Sequence, residues 1–228
     1  MDIQFKRRNS LKGKTIIKRD GNAFMVGVFG LFTLVTFIVI FTIAIEEIHY
    51  KRNATTDAIT SAILATVTID KDDLTLNNNI HVIPAEMNVK MFSDCFAGSL
   101  RTVSEVTVGV DPTEKIYTWT GNEDDPIFDF SDGKKIELSQ FIIYNFDQGD
   151  PADVNDDNFT ISKYNSRTGG FDTEAPLLLR DIGHLYAPDG TEILETSVFV
   201  ELNVPIHTYF NIRATVPRSQ LVAIQNIA

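Results

Sequence analysis

Residues 23–45 read AFMVGVFGLFTLVTFIVIFTIAI, an apolar stretch without a charged residue or a proline. A helix of this length spans about 34 Å, because each residue adds about 1.5 Å, and the hydrocarbon core of a bilayer is about 30 Å thick. The stretch is too long for the apolar core of a signal peptide, and no small-residue cleavage site follows it. It therefore predicts a single transmembrane helix that stays in the protein as an anchor.

The charges on the two sides of this stretch have opposite signs. Residues 1–21 carry seven Lys or Arg against two acidic residues, whereas residues 54–228 carry 11 Lys or Arg against 27 Asp or Glu. An excess of Lys and Arg beside a span keeps that side in the cytoplasm. Residues 1–21 are therefore predicted to be a disordered cytoplasmic leader, and the C-terminal part to be extracytoplasmic. The acidic surface argues against nucleic-acid binding, which needs a basic surface.

The apolar helix is predicted to continue beyond the membrane, because residues 46–69 contain neither glycine nor proline. Residues 22–70 would then form one transmembrane and membrane-proximal stem. Small residues recur at helical spacing on one face of its outer half: Ala54, Ala58, Ala62 and Ala65. This alanine face is either a packing seam for the helices of neighbouring subunits or the face on which the stem rests on its own domain. A second small patch lies on the first turns of the apolar stretch: Ala23, Gly27 and Gly30.

Residues 71–228 are predicted to form one acidic, β-rich domain, since the hydrophobic period changes from helical to alternating near residue 74. Turn residues separate the predicted strands, and Asp189-Gly190 is the predicted turn of a hairpin. The predicted strands are residues 75–76, 80–83, 89–92, 102–108, 116–120, 135–138, 141–146, 159–164, 177–179, 193–204 and 209–216. Residues 138–143 and 177–182 are also compatible with helical turns. The predicted fold class is α+β, with a long N-terminal transmembrane helix that continues as a stem and an exported, mainly antiparallel β domain.

No sequence motif points to catalysis. The chain has no phosphate-binding loop, no dinucleotide fingerprint and no nucleophile or metalloprotease motif. Its histidines lack metal ligands at motif spacing: His49, His81, His184 and His207. We therefore expect neither an enzyme nor a cofactor. The single cysteine, Cys95, excludes an intramolecular disulfide and is expected to be a small buried apolar residue.

One acidic loop has the spacing of a calcium site. Asp153, Asn155 and Asp157 follow the D-x-N-x-D pattern that places oxygen ligands around Ca²⁺. The sixth position of the pattern is Asn158 instead of glycine, and the twelfth is Tyr164 instead of glutamate. A solvated acidic loop is therefore favoured over a calcium site, and both interpretations stay open.

The N-terminal third carries a recognisable combination of features. A basic leader precedes Asp20-Gly21-Asn22-Ala23, the apolar helix ends at Ile45-Glu46, and residues 56–65 continue it as TDAITSAILA. Over about residues 14–70 the chain resembles the TadE/TadG-like proteins of Tad (Flp) pilus systems. The resemblance implies a bacterial, membrane-anchored, pseudopilin-like protein with a helical stem and a variable exported domain. The implied partners are the membrane and other pilin-like subunits or assembly-platform proteins.

The same resemblance raises the hypothesis of processing between Gly21 and Asn22. The fifth residue after such a cut is Val26, where pilins and the TadE branch have a glutamate that takes part in assembly. A TadG-like, uncleaved protein therefore fits the sequence better, and cleavage remains a separate hypothesis.

The function expected from the sequence is structural. The chain would be a pilin-like or pilus-assembly component of a bacterial surface or secretion apparatus, and would assemble through its N-terminal helix. The alternative is a membrane-tethered extracellular binding or adhesion module that does not polymerise. An anchored extracellular hydrolase ranks third.

Overall fold

The computed structural model describes residues 5–70, 80–108, 114–121, 133–148, 157–207 and 213–224, with all of their side chains except those of residues 5–21, 207 and 213. The chain divides into two compact units, Met1–Glu47 and Ile48–Ala228. The first unit contains only helix among its described residues. The second contains the end of that helix and the described strands, so the fold is α+β, as the sequence predicts.

Helix α1 runs from Phe5 to Thr66, a length of 62 residues. The helix predicted for residues 22–70 is confirmed as far as Thr66, but the disorder predicted for the leader is wrong, because α1 includes residues 5–21. An established apolar helix removes the cost of nucleation for the residues beside it. The leader contains no proline and has seven Lys or Arg residues, which favour helix.

Helix α2 runs from Glu86 to Leu100. The strand predicted for residues 89–92 is therefore wrong. Val89, Phe92, Phe96 and Leu100 are buried at spacings of three and four residues, the period of one helix face. Within Val89-Lys90-Met91-Phe92 alone, Val89 and Met91 would share one face of a strand, so the helical period shows only over the longer stretch.

Ten strands and a one-turn helix follow α2 in the described residues. They are β1 (Thr102–Val108), β2 (Lys115–Gly121), β3 (Ile136–Asp147), β4 (Asn158–Asn165), β5 (Gly170–Thr173), β6 (Leu177–Leu178), α3 (Leu179–Ile182), β7 (Leu185–Tyr186), β8 (Glu192–Ile193), β9 (Ser197–His207) and β10 (Arg213–Ala223). The predictions for β1, β2 and β4 are confirmed. The strand predicted for residues 193–204 is confirmed in part, because residues 194–196 separate β8 from β9. The stretches 135–138 and 141–146 are one strand, β3, in which Ser139 is a bulge opposite β9.

The other predicted elements differ in their outcome. The helical alternative for residues 138–143 is wrong, whereas residues 179–182 do form a helical turn. The last strand, predicted for residues 209–216, is described from Arg213 and extends further than predicted, to Ala223, whereas its predicted start lies outside the described residues. Strand β5 was not predicted. Residues 80–83 contain a single β-bridge instead of a strand, and the strand predicted at residues 75–76 lies outside the described residues.

In the described part of the chain, eight strands form one antiparallel sheet with β3 at its centre. One edge of β3 pairs with β9, which pairs in turn with β10. The other edge pairs with β2 near Ile136 and with β4 from Ile142 onward. Strand β1 lies outside β2, and β5 and β6 lie outside β4. Pro217 in β10 fits an edge strand, since proline has no N–H to donate to a further neighbour.

The main core lies between one face of the sheet and the helices. It joins α1 residues 58–63, the buried face of α2 and inward side chains from β2, β3, β9 and β10. Trp119 is fully buried there, and its indole N–H donates to the carbonyl of Ser93, with 3.0 Å between Nε1 and O. Its ring meets Phe96 at a centroid distance of 4.8 Å. Aromatic packing thus fixes α2 against β2.

The opposite face of the sheet carries a second apolar cluster, covered by the small β7–β8 hairpin. Ile193 and Ala187 pack there against Phe199 and other side chains of the sheet. The turn predicted at Asp189-Gly190 is confirmed: β7 pairs with β8, and the Thr191 N–H donates to Asp189 Oδ1 at 3.0 Å. Gly190 has a φ of 84°, which glycine adopts without strain.

Residues 80–83 are held to the sheet by side chains. The Asn145 amide donates to the Val82 carbonyl at 3.0 Å, and its oxygen accepts the Val82 N–H at 2.8 Å. The Thr196 hydroxyl donates to the Ile80 carbonyl at 2.6 Å. The Asp70 N–H donates to the His81 carbonyl at 2.9 Å, so this short segment also contacts the residues that follow α1. Asn145 takes the place of a neighbouring strand, because it satisfies both backbone groups of Val82.

Candidate functional site

The apolar half of α1 has large exposed side chains throughout, from Phe24 to Ile45. Among the described residues, one helix is long and apolar enough to cross a membrane. Only 6% of its most apolar 18-residue stretch is buried. Gly27 and Gly30 face open space, since a Cβ on either would meet no heavy atom within 4 Å. This half of the helix is therefore available to lipid or to another protein.

The predicted alanine face lies mostly inside the protein. Ala58 is 4% exposed and Ala62 is fully buried, and both belong to the main core. Ala54 is partly buried against that core, and Ala65 is exposed. The structure thus shows the second of the two alternatives for this face, a stem that rests on its own domain. Ala58 and Ala62 are therefore covered by their own domain, and a packing seam with another subunit stays a prediction.

Gly21 and Asn22, the predicted processing residues, both lie inside α1. Asn22 is exposed. Cleavage between them stays a prediction.

The predicted calcium loop falls largely outside the described residues. Asp153 and Asn155 belong to a stretch that the structure does not describe. Asp157 is described, and its carbonyl accepts the Leu179 N–H at 2.8 Å. Within residues 5–70, 80–108, 114–121, 133–148, 157–207 and 213–224, no three His, Cys, Asp or Glu side chains are grouped to hold a metal. Calcium binding therefore stays a prediction.

The histidines are far apart in the described fold. His184 pairs with Glu192 across the β7–β8 hairpin, and His81 Nε2 lies 2.9 Å from Asp147 Oδ1. His49 is exposed on α1. Cys95 is a free, half-buried thiol on α2, packed against the main core.

A cleft opens where the sheet splits between β2, β3 and β4. Strand β2 pairs with β3 only at Ile136 and Glu137, and β4 pairs only from Ile142 onward. Residues 138–141 therefore have ladder partners on β9 alone among the described strands. The cleft has a volume of about 260 Å³, and its outer end is closed by the Lys115 N–H, which donates to the Ser166 carbonyl at 2.7 Å.

Aromatic side chains line the inner part of this sheet cleft. Tyr117 and Phe141 are buried there, and Tyr164 is half-buried. The rings of Tyr117 and Tyr164 meet edge to face with centroids 6.0 Å apart. Burial is the main cause that raises the pKa of both phenols, and the nearby Glu86 carboxylate raises both further. Both hydroxyl groups are therefore neutral at physiological pH.

The charged residues at the sheet cleft are unevenly paired. The Lys115 ammonium forms an ion pair with Glu86, at the start of α2, and this hydrogen bond raises the lysine's pKa. Glu114 accepts only a long hydrogen bond, 3.5 Å, from the Ser166 hydroxyl. Glu137 lines the cleft with its carboxylate unpaired among the described side chains. Among the described side chains, neither Glu114 nor Glu137 forms an ion pair.

Sequence reasoning missed this cleft. Its residues come from three strands, and Glu114, Glu137 and Tyr164 are too far apart in sequence to form a motif. The one local signal is Leu138-Ser139-Gln140, where the alternation of β3 breaks at the bulge. In the sequence alone, this break is equally compatible with a helical turn.

Tyr144, on the second face of the sheet, should make the domain sensitive to alkaline pH. It is 3% exposed, and burial, followed by the charges of Asp189 and Glu174, raises its pKa to about 12. An unfolded phenol has a pKa of about 10. The neutral phenol thus contributes stability that is fully present below about pH 10 and is lost as the pH rises through about 12.

We expect Tyr144→Phe to move the midpoint of alkaline unfolding to higher pH, because phenylalanine has no proton to lose. Far-UV circular dichroism from pH 8 to 12 measures that midpoint, with Tyr186→Phe as a control at an exposed phenol. Tyr117 and Tyr164 also have raised pKa values, so the transition should shift without disappearing. Equal midpoints for Tyr144→Phe and the wild type would contradict this assignment.

Comparison of the chain with protein-family models, with curated proteins and with solved structures finds no match.

Proposed function

We propose that this chain is a membrane-anchored, pilin-like structural component of a bacterial surface or secretion apparatus, with its β domain outside the membrane. The observation that carries the proposal is the division of α1 into two halves. The half before Glu46 has exposed apolar side chains, and the half from Ala58 to Ile63 is built into the core of the domain. A helix that is apolar and exposed at one end and embedded in its own domain at the other suits a subunit that joins a larger assembly through the apolar end.

The position of the assembly surface changes from the one expected from sequence. Because Ala58 and Ala62 are enclosed by their own domain, we place the contacts with other subunits on the apolar half of α1. Gly27 and Gly30 lie there without a neighbour, and small residues let two helices approach closely in a membrane. The basic leader then lies in the cytoplasm, and the acidic domain on the other side.

The test is a bulky substitution on this patch, Gly27→Leu. Thr36→Leu is the matched control, because nine residues turn a helix through about 900°, which places Thr36 on the opposite side from Gly27. Both positions are exposed in the chain. We expect Gly27→Leu to reduce sheared, sedimentable polymer at least tenfold while the protein stays in the membrane fraction. Thr36→Leu should assemble as the wild type does.

A membrane-tethered binding module is the second candidate. The observation that favours it is the same burial of Ala58 and Ala62, since the outer half of α1 then needs no other subunit to cover it. If the wild type and both variants stay in the membrane fraction and none yields sedimentable polymer, assembly is wrong and the tether remains. Release of the wild type by alkaline carbonate would contradict both candidates.

A further inference from the structure

We propose that Arg52, on α1, and Arg218, on β10, together bind the phosphate group of an anionic phospholipid. The site rests on the proposed membrane anchoring, but it does not depend on assembly into a polymer. It is formed by two arginines on facing surfaces at one end of the main core, and neither has a carboxylate partner among the described side chains. Arg52 is also only a short way along α1 from the apolar stretch.

The end of α1 lies beside one end of the sheet. The Ile83 N–H donates to the Thr68 carbonyl, just after α1, at 2.9 Å, and Val82 is bonded to the Asn145 side chain near the end of β3. Strand β9 begins and β10 ends at that end of the sheet. Because residues 58–63 of α1 belong to the main core, the earlier turns of the helix pass along the sheet toward its other end, where β10 begins.

Arg52 and Arg218 start on surfaces that face each other across this end of the core. Ile59 and Ile63, which are fully buried in the core, follow Arg52 by seven and eleven residues, so they lie within about 20° of it around the helix. Arg218 lies opposite Leu202, another fully buried core residue, and directly opposite residues share one face of a sheet.

The two arginines are close enough to repel each other. Burial lowers the pKa of Arg218, and the positive charge of Arg52 lowers it further. Neither guanidinium group has an ion-pair partner among the described side chains. The neighbouring acidic residues of α1, residues 46–47 and Asp57, are turned at least about 120° away from Arg52. Glu201 of β9 lies on the opposite face of the sheet, and β10 has no acidic residue. An anion between the two arginines therefore offsets their repulsion.

The position of Arg52 on α1 selects a lipid as the source of this anion. Arg52 follows Ile45, the last residue of the apolar stretch, by seven residues, which is about 10 Å along the helix. The headgroup layer on each side of the hydrocarbon core is roughly 5–8 Å thick. Side chains of a helix tilt toward its N-terminus, so the Arg52 side chain is directed back toward this layer. Guanidinium groups bind phosphate oxygens through paired hydrogen bonds.

The test is thermal unfolding of the full chain in neutral detergent micelles with added phosphatidylglycerol or phosphatidylcholine. The fluorescence of Trp119, the single tryptophan, reports unfolding of the main core. We expect phosphatidylglycerol at about ten times its Kd to raise the Tm by roughly 3–6 °C relative to the same amount of phosphatidylcholine. The zwitterionic lipid carries a cation of its own, which competes with the arginines for its phosphate.

Arg52→Gln and Arg218→Gln should each lose most of this rise. Arg180→Gln is the matched control, since it removes the same charge from α3, on the opposite face of the sheet, and should keep the rise. The difference between the two lipids is measured within each variant, so a change in the variant's own stability does not affect the comparison. Equal rises in Arg218→Gln and Arg180→Gln would overturn the proposal.

Inorganic phosphate at the same concentration distinguishes a free anion from a lipid, and it should leave the Tm unchanged. A rise with inorganic phosphate equal to the rise with phosphatidylglycerol would overturn the lipid as the source. If the wild type resists extraction by alkaline carbonate but shows no rise with phosphatidylglycerol, the lipid site is wrong and the proposed anchoring stands.

Discussion

Trp119→Ala is expected to lower the free energy of unfolding by about 3–5 kcal/mol, the cost of deleting a fully buried aromatic side chain. Trp119 is completely enclosed, contacts Phe92 and Phe96, and donates its indole N–H to Ser93. The change removes the contact that joins α2 to β2. For a domain of this size it should lower the Tm by roughly 6–20 °C, measured by circular dichroism of the full chain.

Two further variants show whether the loss of stability comes from the burial of the Trp119 ring. Trp119→Phe keeps an aromatic ring but loses the N–H, so its cost should lie between those of the wild type and the alanine variant. Tyr186→Ala removes an aromatic side chain that is 54% exposed and should change the free energy of unfolding by about 0.5 kcal/mol or less. If Trp119→Ala melts within a degree of the Tyr186→Ala protein, the position of α2 described above is incorrect.

Ala62→Leu is expected to destabilise the domain by about 1–3 kcal/mol, because a larger side chain must enter a packed core. Ala62 is fully buried among α2 and the inward residues of the sheet. Thermal unfolding of the full chain should show a Tm lower by roughly 2–12 °C.

Ala65→Leu is the matched control for Ala62→Leu. It makes the same change three residues later on α1, at an exposed position, and should leave the Tm nearly unchanged. If instead Ala62→Leu left the Tm unchanged and abolished polymer, this face would be a seam between subunits after all. The pair of variants thus distinguishes a face that holds the domain together from one that holds subunits together.

The features predictable from sequence were those carried by long or repetitive local patterns. The 23 uncharged residues from Ala23 to Ile45 are enough to predict a long apolar helix. The β-branched and aromatic run of β9 likewise predicts a strand. Helix α2 was not predicted because Val89 and Met91 also fit a strand, and only Phe96 and Leu100 extend the helical spacing of Val89 and Phe92.

The features that could not be predicted depend on contacts between distant residues. The small side chains of the alanine face predict that another element packs against it. Only the three-dimensional packing shows that the main core of the same domain covers Ala58 and Ala62. The sheet cleft arises because β2 and β4 both pair with one edge of β3 and leave a gap between them. No local pattern in any one strand contains that information.

The bonds that hold residues 80–83 also bear on how the chain can change in evolution. Asp70 is bonded to His81, and Val82 is fastened by Asn145, so the two ends of the intervening stretch are fixed to each other and to the sheet. In these contacts Asp70, His81 and Val82 use backbone groups, so their side chains can be replaced by any residue but proline without loss of the bonds. Asn145 uses its side-chain amide, and it is therefore the residue of this set that a lineage is expected to retain.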